Sequence, residues 1–128
     1  MALDYGAART GVAVSDATGT LARPVTVVER AATASGLRRL ADLVASEQAE
    51  RIVVGLPLTL GGVAGAQAEE TERFVVALRD AVSVPVEQFD ERFTTALAAR
   101  NPTASAPEDA RAAAHLLESY LAWATDRP

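Results

Sequence analysis

Arg51–Leu56 (RIVVGL) carries a near-continuous apolar run that shows neither strict alternation nor a helical period. Such a run, stopped by Pro57 and the Gly61–Gly62 pair, reads as a strand buried on both faces. A chain holding such a strand must supply layers above and below it, so helices have to cover a sheet from two sides. The flanking segments meet that demand. Leu37, Leu40, Leu43 and Val44 recur at helical spacing and predict a helix ending near Glu50, while Phe74, Val75, Leu78 and Val82 predict another.

The N-terminal third follows a different period. Residues 2–4 are a short apolar start running into Asp4-Tyr5-Gly6. In Thr10–Ser15, Val12 and Val14 alternate with Ala13 and Ser15; Asp16–Gly19 reads as a turn, and Pro24–Glu29 as a further strand. Their closeness predicts an antiparallel meander. Val84–Phe89 is the next strand, followed by Asp90–Thr95 and a short helix to Arg100. The last helix begins near Ser105, where Ser105-x-x-Glu108 fits a capping box. The order β-β-β-α-β-α-β-α predicts an α/β domain with a five-stranded mixed sheet and helices on both faces. Ile52–Leu56 and Val84–Phe89 should run parallel to the strand ending at Asp4.

Composition narrows the function. At 128 residues, 49% hydrophobic and 23% charged, the chain is expected to form one domain over residues 1–128. With no cysteine and a single histidine, His115, thiolate chemistry is excluded and a zinc site is disfavoured. His115 falls opposite the apolar stripe of the last helix and is expected to be solvated. No run approaches the roughly 20 apolar residues of a membrane span, and the start lacks a signal peptide's regions. A cytoplasmic protein with no membrane partner is expected. Lysine is absent and the net charge is −5, which argues against wholesale wrapping of nucleic acid. A local arginine patch or bound divalent cations could still hold a phosphate backbone.

Three carboxylates stand at the ends of elements. Asp4 ends the first strand, at a sheet end where ligands commonly bind in such folds; a turn aspartate before Gly6 is the plainer alternative. Asp90 and Glu91 end the last strand, where a solvated terminus is the alternative. At about 100° per residue, Asp109 shares a face with Ala113, Leu116 and Tyr120, so it points toward the sheet. Attraction to the helix dipole explains an acid in the first turn but not its inward side. Oxygen-only ligands suit Mg²⁺ or Mn²⁺, and such sites can hydrolyse phosphodiesters. Spacing alone leaves this as one possibility among several.

LDYGAARTGVAVSD (Leu3–Asp16), IVVGLPL (Ile52–Leu58), DERFTT (Asp90–Thr95) and DARAAAHLLESYL (Asp109–Leu121), taken together in this order, resemble the YqgF/RuvX family. The resemblance runs from residue 3 to about residue 122. It implies a ribonuclease H-like fold and a Mg²⁺-dependent endonuclease, associated with 5′-end processing of precursor 16S rRNA and also with Holliday junction resolution. The family's acidic positions fall on Asp4, Glu91 and Asp109, as catalytic and metal-binding residues, with Asp90 an alternative ligand. Arg9 and Arg92 match basic positions; with Arg100 and Arg111 they are candidates for binding nucleic acid. Ion pairing to a nearby carboxylate is the alternative for Arg9 and Arg92.

Three departures stand out. The segment before LDYG is shorter than usual. ALAARNPTASAPED lacks the family's lysine-containing run, and Thr59-Leu60-Gly61-Gly62 replaces a more polar turn. Precursor rRNA is the first expected substrate and branched DNA the second; the DNA reading implies a homodimer, because two symmetric cuts need paired sites. A catalytically silent nucleic-acid-binding module of the same fold remains open. An actin-like ATPase is set aside, since it needs two such domains.

Overall fold

The computed structural model describes residues 1–57, 65–91 and 107–125. Five strands form one sheet: β1 (Ala2–Asp4), β2 (Arg9–Ser15), β3 (Ala22–Glu29), β4 (Ile52–Leu56) and β5 (Val86–Asp90). Their order is β3-β2-β1-β4-β5. β1–β2 and β2–β3 pair antiparallel, whereas β1–β4 and β4–β5 pair parallel. The expected mixed sheet, with the short first strand at its centre, is what the chain forms. Three helices cover it: α1 (Ala34–Ser46), α2 (Ala66–Ala81) and α3 (Glu108–Thr125). Among the described residues, no helix is long and apolar enough to cross a membrane.

The two faces differ in side-chain size. Leu3, Val12, Val14, Val28, Ile52 and Val54 pack with Leu40, Phe74, Val75 and Leu78 of α1 and α2. Ala2, Ala13, Val53 and Phe89 face the other way, against Ala113, Ala114, Leu116, Leu117 and Tyr120 of α3. The period-2 alternation of β1 and β2 sends their larger residues to one layer and Ala2 and Ala13 to the other. Small side chains on both sides let α3 lie close to the sheet. At Gly11 the approach is closest, since a Cβ there would stand 1.8 Å from the Asp109 carbonyl oxygen. A glycine inside a strand marks such a close backbone approach.

Several boundaries move from their expected places, each for a local reason. α1 stops at Ser46 rather than near Glu50 because Gln48 takes a left-handed φ of 54°. The Gln48 N–H donates to the Ala45 carbonyl at 3.2 Å and the Ala49 N–H to that of Val44 at 3.0 Å, which closes the helix in a Schellman motif. β3 extends back to Ala22 despite Pro24, which is tolerated because β3 is an edge strand and its register shifts between Val12 and Ala13. β5 begins at Val86, two residues later than expected; Pro85 contributes only its carbonyl, to the Ile52 N–H at 2.9 Å. The expected break at Gly61–Gly62, the short helix to Arg100 and the Ser105 cap lie outside the described residues.

His115 is a correction. It is half-buried rather than solvated, and its Nε2 is enclosed without a hydrogen-bond partner among the described residues. α3 rests on β1, β2 and β3 together. That broad footing buries more of the helix than a single apolar stripe.

Candidate active site

β1, β4 and β5 all end on one edge of the sheet, and β2 begins there. On this edge the alternation that puts Ala2 and Ala13 toward α3 also puts Asp4 there. Tyr5 turns the opposite way, stacking on Phe74 with ring centroids 4.3 Å apart and donating from its hydroxyl to Glu70 Oε1 at 3.2 Å. Asp4 is thus fixed by its neighbour's hold on the far layer. Behind it, Thr10 is fully buried and its Oγ1 lies 3.4 Å from both the N–H and the carbonyl oxygen of Gly6, tying down the β1–β2 turn.

At the end of β5, Phe89 packs in the α3 layer and Glu91, two residues on, falls on the same side. Glu91 and Asp4 share a side-chain hydrogen bond. Burial, the Asp4 charge, that hydrogen bond and the Asp90 charge push the Glu91 carboxyl up to about 7. Asp4 is also raised, by burial first and by the Asp109 charge second, while its bond from Glu91 opposes the shift. The two carboxyl groups are crowded together, and each makes loss of the other's proton harder. Gly55 makes room for it: a Cβ there would stand 2.6 Å from Glu91 Oε1.

Asp109 sits in the first turn of α3, half-buried, and its carboxylate meets Arg9 Nε at 3.3 Å. The structure therefore brings Asp4 and Glu91 into contact and Asp109 into their field. Among the described residues, no three acidic or imidazole side chains are grouped closely enough to hold a metal ion as they stand. Asp90 ends β5 and is felt by Glu91 through its charge. Of the four arginines, Arg9 is exposed but engaged with Asp109, and Arg111 is half-buried with its Nε enclosed and unpartnered among the described residues. Arg92 and Arg100 lie outside the described residues.

The donor set fits a hard divalent cation. It consists of carboxylate oxygens, and a cation bound there would favour their charged forms. The sequence reading missed Gly11 and Gly55, which let α3 and Glu91 approach; a glycine interrupting each apolar strand was the available signal. A cavity of about 680 Å³ lies elsewhere, lined by Met1, Asp16, Glu47, Arg51 and Tyr120 among others, and takes in none of the three acids. An open sheet edge suits a polymer backbone better than an enclosed pocket would.

A five-stranded sheet of this order, with acids at the ends of β1 and β5 and a third on the helix crossing the sheet, defines a ribonuclease H-like domain. The chain belongs to the RuvX family, described as Holliday junction resolvase, which it matches over residues 1–123. It is 44% identical over 98 residues to a Chloroflexus aurantiacus protein named "Putative pre-16S rRNA nuclease", covering 77% of this chain and 64% of that one. Proteins of the same name match from Roseiflexus sp., 43% identical over 78% of this chain and 71% of the relative, and from Syntrophomonas wolfei, 36% identical over 94% and 92%.

Proposed function

We propose that this chain is a metal-dependent nuclease, acting in the cytoplasm as a single domain, that hydrolyses phosphodiester bonds in structured RNA. Precursor 16S rRNA is its first substrate, with a role in ribosome biogenesis. The observation that carries the reading is the meeting of Asp4 and Glu91 at the ends of β1 and β5, with Asp109 in the first turn of α3 adding its charge, since carboxylates are crowded in this way where a cation is to be held. The names of the relatives point to the RNA substrate.

In this reading Asp4, Glu91 and Asp109 hold Mg²⁺ or Mn²⁺, with Asp90 adding negative charge at the end of β5. When bound, the cation supplies activation of the attacking water and stabilisation of the leaving oxygen. Asp4 is the rigid member, at the end of the central strand. Glu91 releases its proton as the site loads. Asp109 leaves Arg9, whose guanidinium becomes free to hold a phosphate oxygen. Arg92, Arg100 and Arg111 extend the basic contacts.

Cleavage of four-way DNA junctions is the second reading, favoured by the description of the family; it requires a homodimer. Incubating the protein with Mg²⁺ and either a precursor 16S rRNA fragment or a four-way junction tests both. Cleavage of the RNA alone supports the first reading, and of the junction alone the second. Cleavage of neither leaves a silent binding module.

A further inference from the structure

Among the described residues, two non-glycine positions have a left-handed backbone: Gln48 and Arg30, at φ 54° and 49°. Gln48 is accounted for by the helix end that it closes. Arg30 is not at a helix end. It follows Glu29, the last residue of β3, which pairs with Arg9 at the start of β2. Arg30 therefore stands on the same sheet edge as Asp4 and Arg9.

Its conformation is held entirely through main-chain atoms. The Arg30 N–H donates to the Ala8 carbonyl at 2.9 Å. Its own carbonyl accepts from the Thr33 N–H at 3.1 Å and from Thr33 Oγ1 at 2.7 Å. α1 also presses on it, for a Cβ on Gly36 would stand 2.3 Å from the Arg30 oxygen. Glycine would make the same bonds without steric strain, and asparagine with less. The arginine side chain adds nothing to the turn. It is exposed, and it makes no ion pair or hydrogen bond among the described residues. Strain kept at an over-determined position points to a use for the side chain.

We infer that Arg30 is a substrate-binding residue: its guanidinium clamps a backbone phosphate of the nucleic acid beside the acidic site. The inference rests on the nuclease reading and adds a contact that the motifs do not mark. Arg9 is engaged with Asp109, so Arg30 supplies a fork that is not already paired. A polyanion approaching Asp4, Glu91 and Asp109 needs a cation at the rim of that edge.

The test is fluorescence anisotropy with a labelled four-way DNA junction and a labelled precursor-rRNA hairpin, in EDTA, over a series of salt concentrations. Wild type, Arg30→Gly and Arg30→Lys are compared, each with its melting temperature. Arg30→Gly should melt higher than wild type yet bind about tenfold more weakly, with a salt slope lower by about one. Arg30→Lys should recover the slope. Wild-type affinity and slope in Arg30→Gly overturn the role of Arg30 while leaving the nuclease reading intact. Failure of wild type to bind either probe, even at low salt, overturns both.

Discussion

Asp4 and Glu91, 87 positions apart in the chain, meet through a shared hydrogen bond at the carboxyl ends of β1 and β5. Two acids in contact are costly unless one is protonated or a cation lies between them. Replacing Asp4 by asparagine removes one charge and keeps the shape. The Asp4→Asn variant should fold with equal or slightly greater stability in EDTA, and Mg²⁺-dependent cleavage should fall at least about 100-fold. Thermal melts and a cleavage time course check the two halves separately.

The proton on Glu91 makes stability depend on pH with a definite sign. The folded group titrates at about 7, against an ordinary 4.5 in the unfolded chain. Between these values the folded state holds a proton that the unfolded state has lost. Stability from this group is therefore complete below about 4.5 and lost as pH rises through about 7. In EDTA, Glu91→Gln should flatten this fall in denaturation midpoint, and Mg²⁺ should flatten it in wild type by displacing the proton.

Gly11 controls how close α3 comes. Because a Cβ there would overlap the Asp109 main chain at 1.8 Å, Gly11→Ala should push the first turn of α3 outward. Overpacking of this kind costs about 1–3 kcal/mol or more. The melting temperature should fall, and the Mg²⁺ affinity of the variant, measured by calorimetry, should fall with it. An unchanged affinity would place Asp109 outside the metal site.

Gln48 offers a purely structural control. A left-handed glutamine closes α1, and glycine takes that backbone freely. Gln48→Gly should stabilise the fold by about 0.5–1 kcal/mol, seen as a rise of a few degrees in melting temperature, with cleavage unchanged. Its position at the far end of α1 from Arg30 separates it from the acidic edge.

Much of this arrangement was legible in the sequence because it follows from periodicity. The RIVVGL run implied two covering layers, and the alternation of Val12 and Val14 with Ala13 gave the faces of β2. The inward side of Asp109 followed from helical spacing alone. Contacts between distant segments were not legible in the same way. Nothing local told that Arg9 would pair with Asp109 or that Glu91, rather than Asp90, would touch Asp4; the packing of β5 beside β4 decides the second. His115 was misjudged because one stripe was assumed for a helix that rests on three strands. The left-handed turn at Arg30 is tied by a bond to the distant Ala8 carbonyl and that at Gln48 by the helix end it closes, and neither residue type signals them.

The central claim is that Asp4, Glu91 and Asp109 act together on a phosphodiester with a divalent cation. The most direct test is a gel assay of precursor 16S rRNA and four-way junction cleavage by wild type, Asp4→Asn and Asp109→Asn, with Mg²⁺ and with EDTA. Cleavage by wild type in Mg²⁺ alone, and its loss in both folded variants, is the predicted result. Equal cleavage by wild type and both variants, or cleavage that persists in EDTA, would contradict the account.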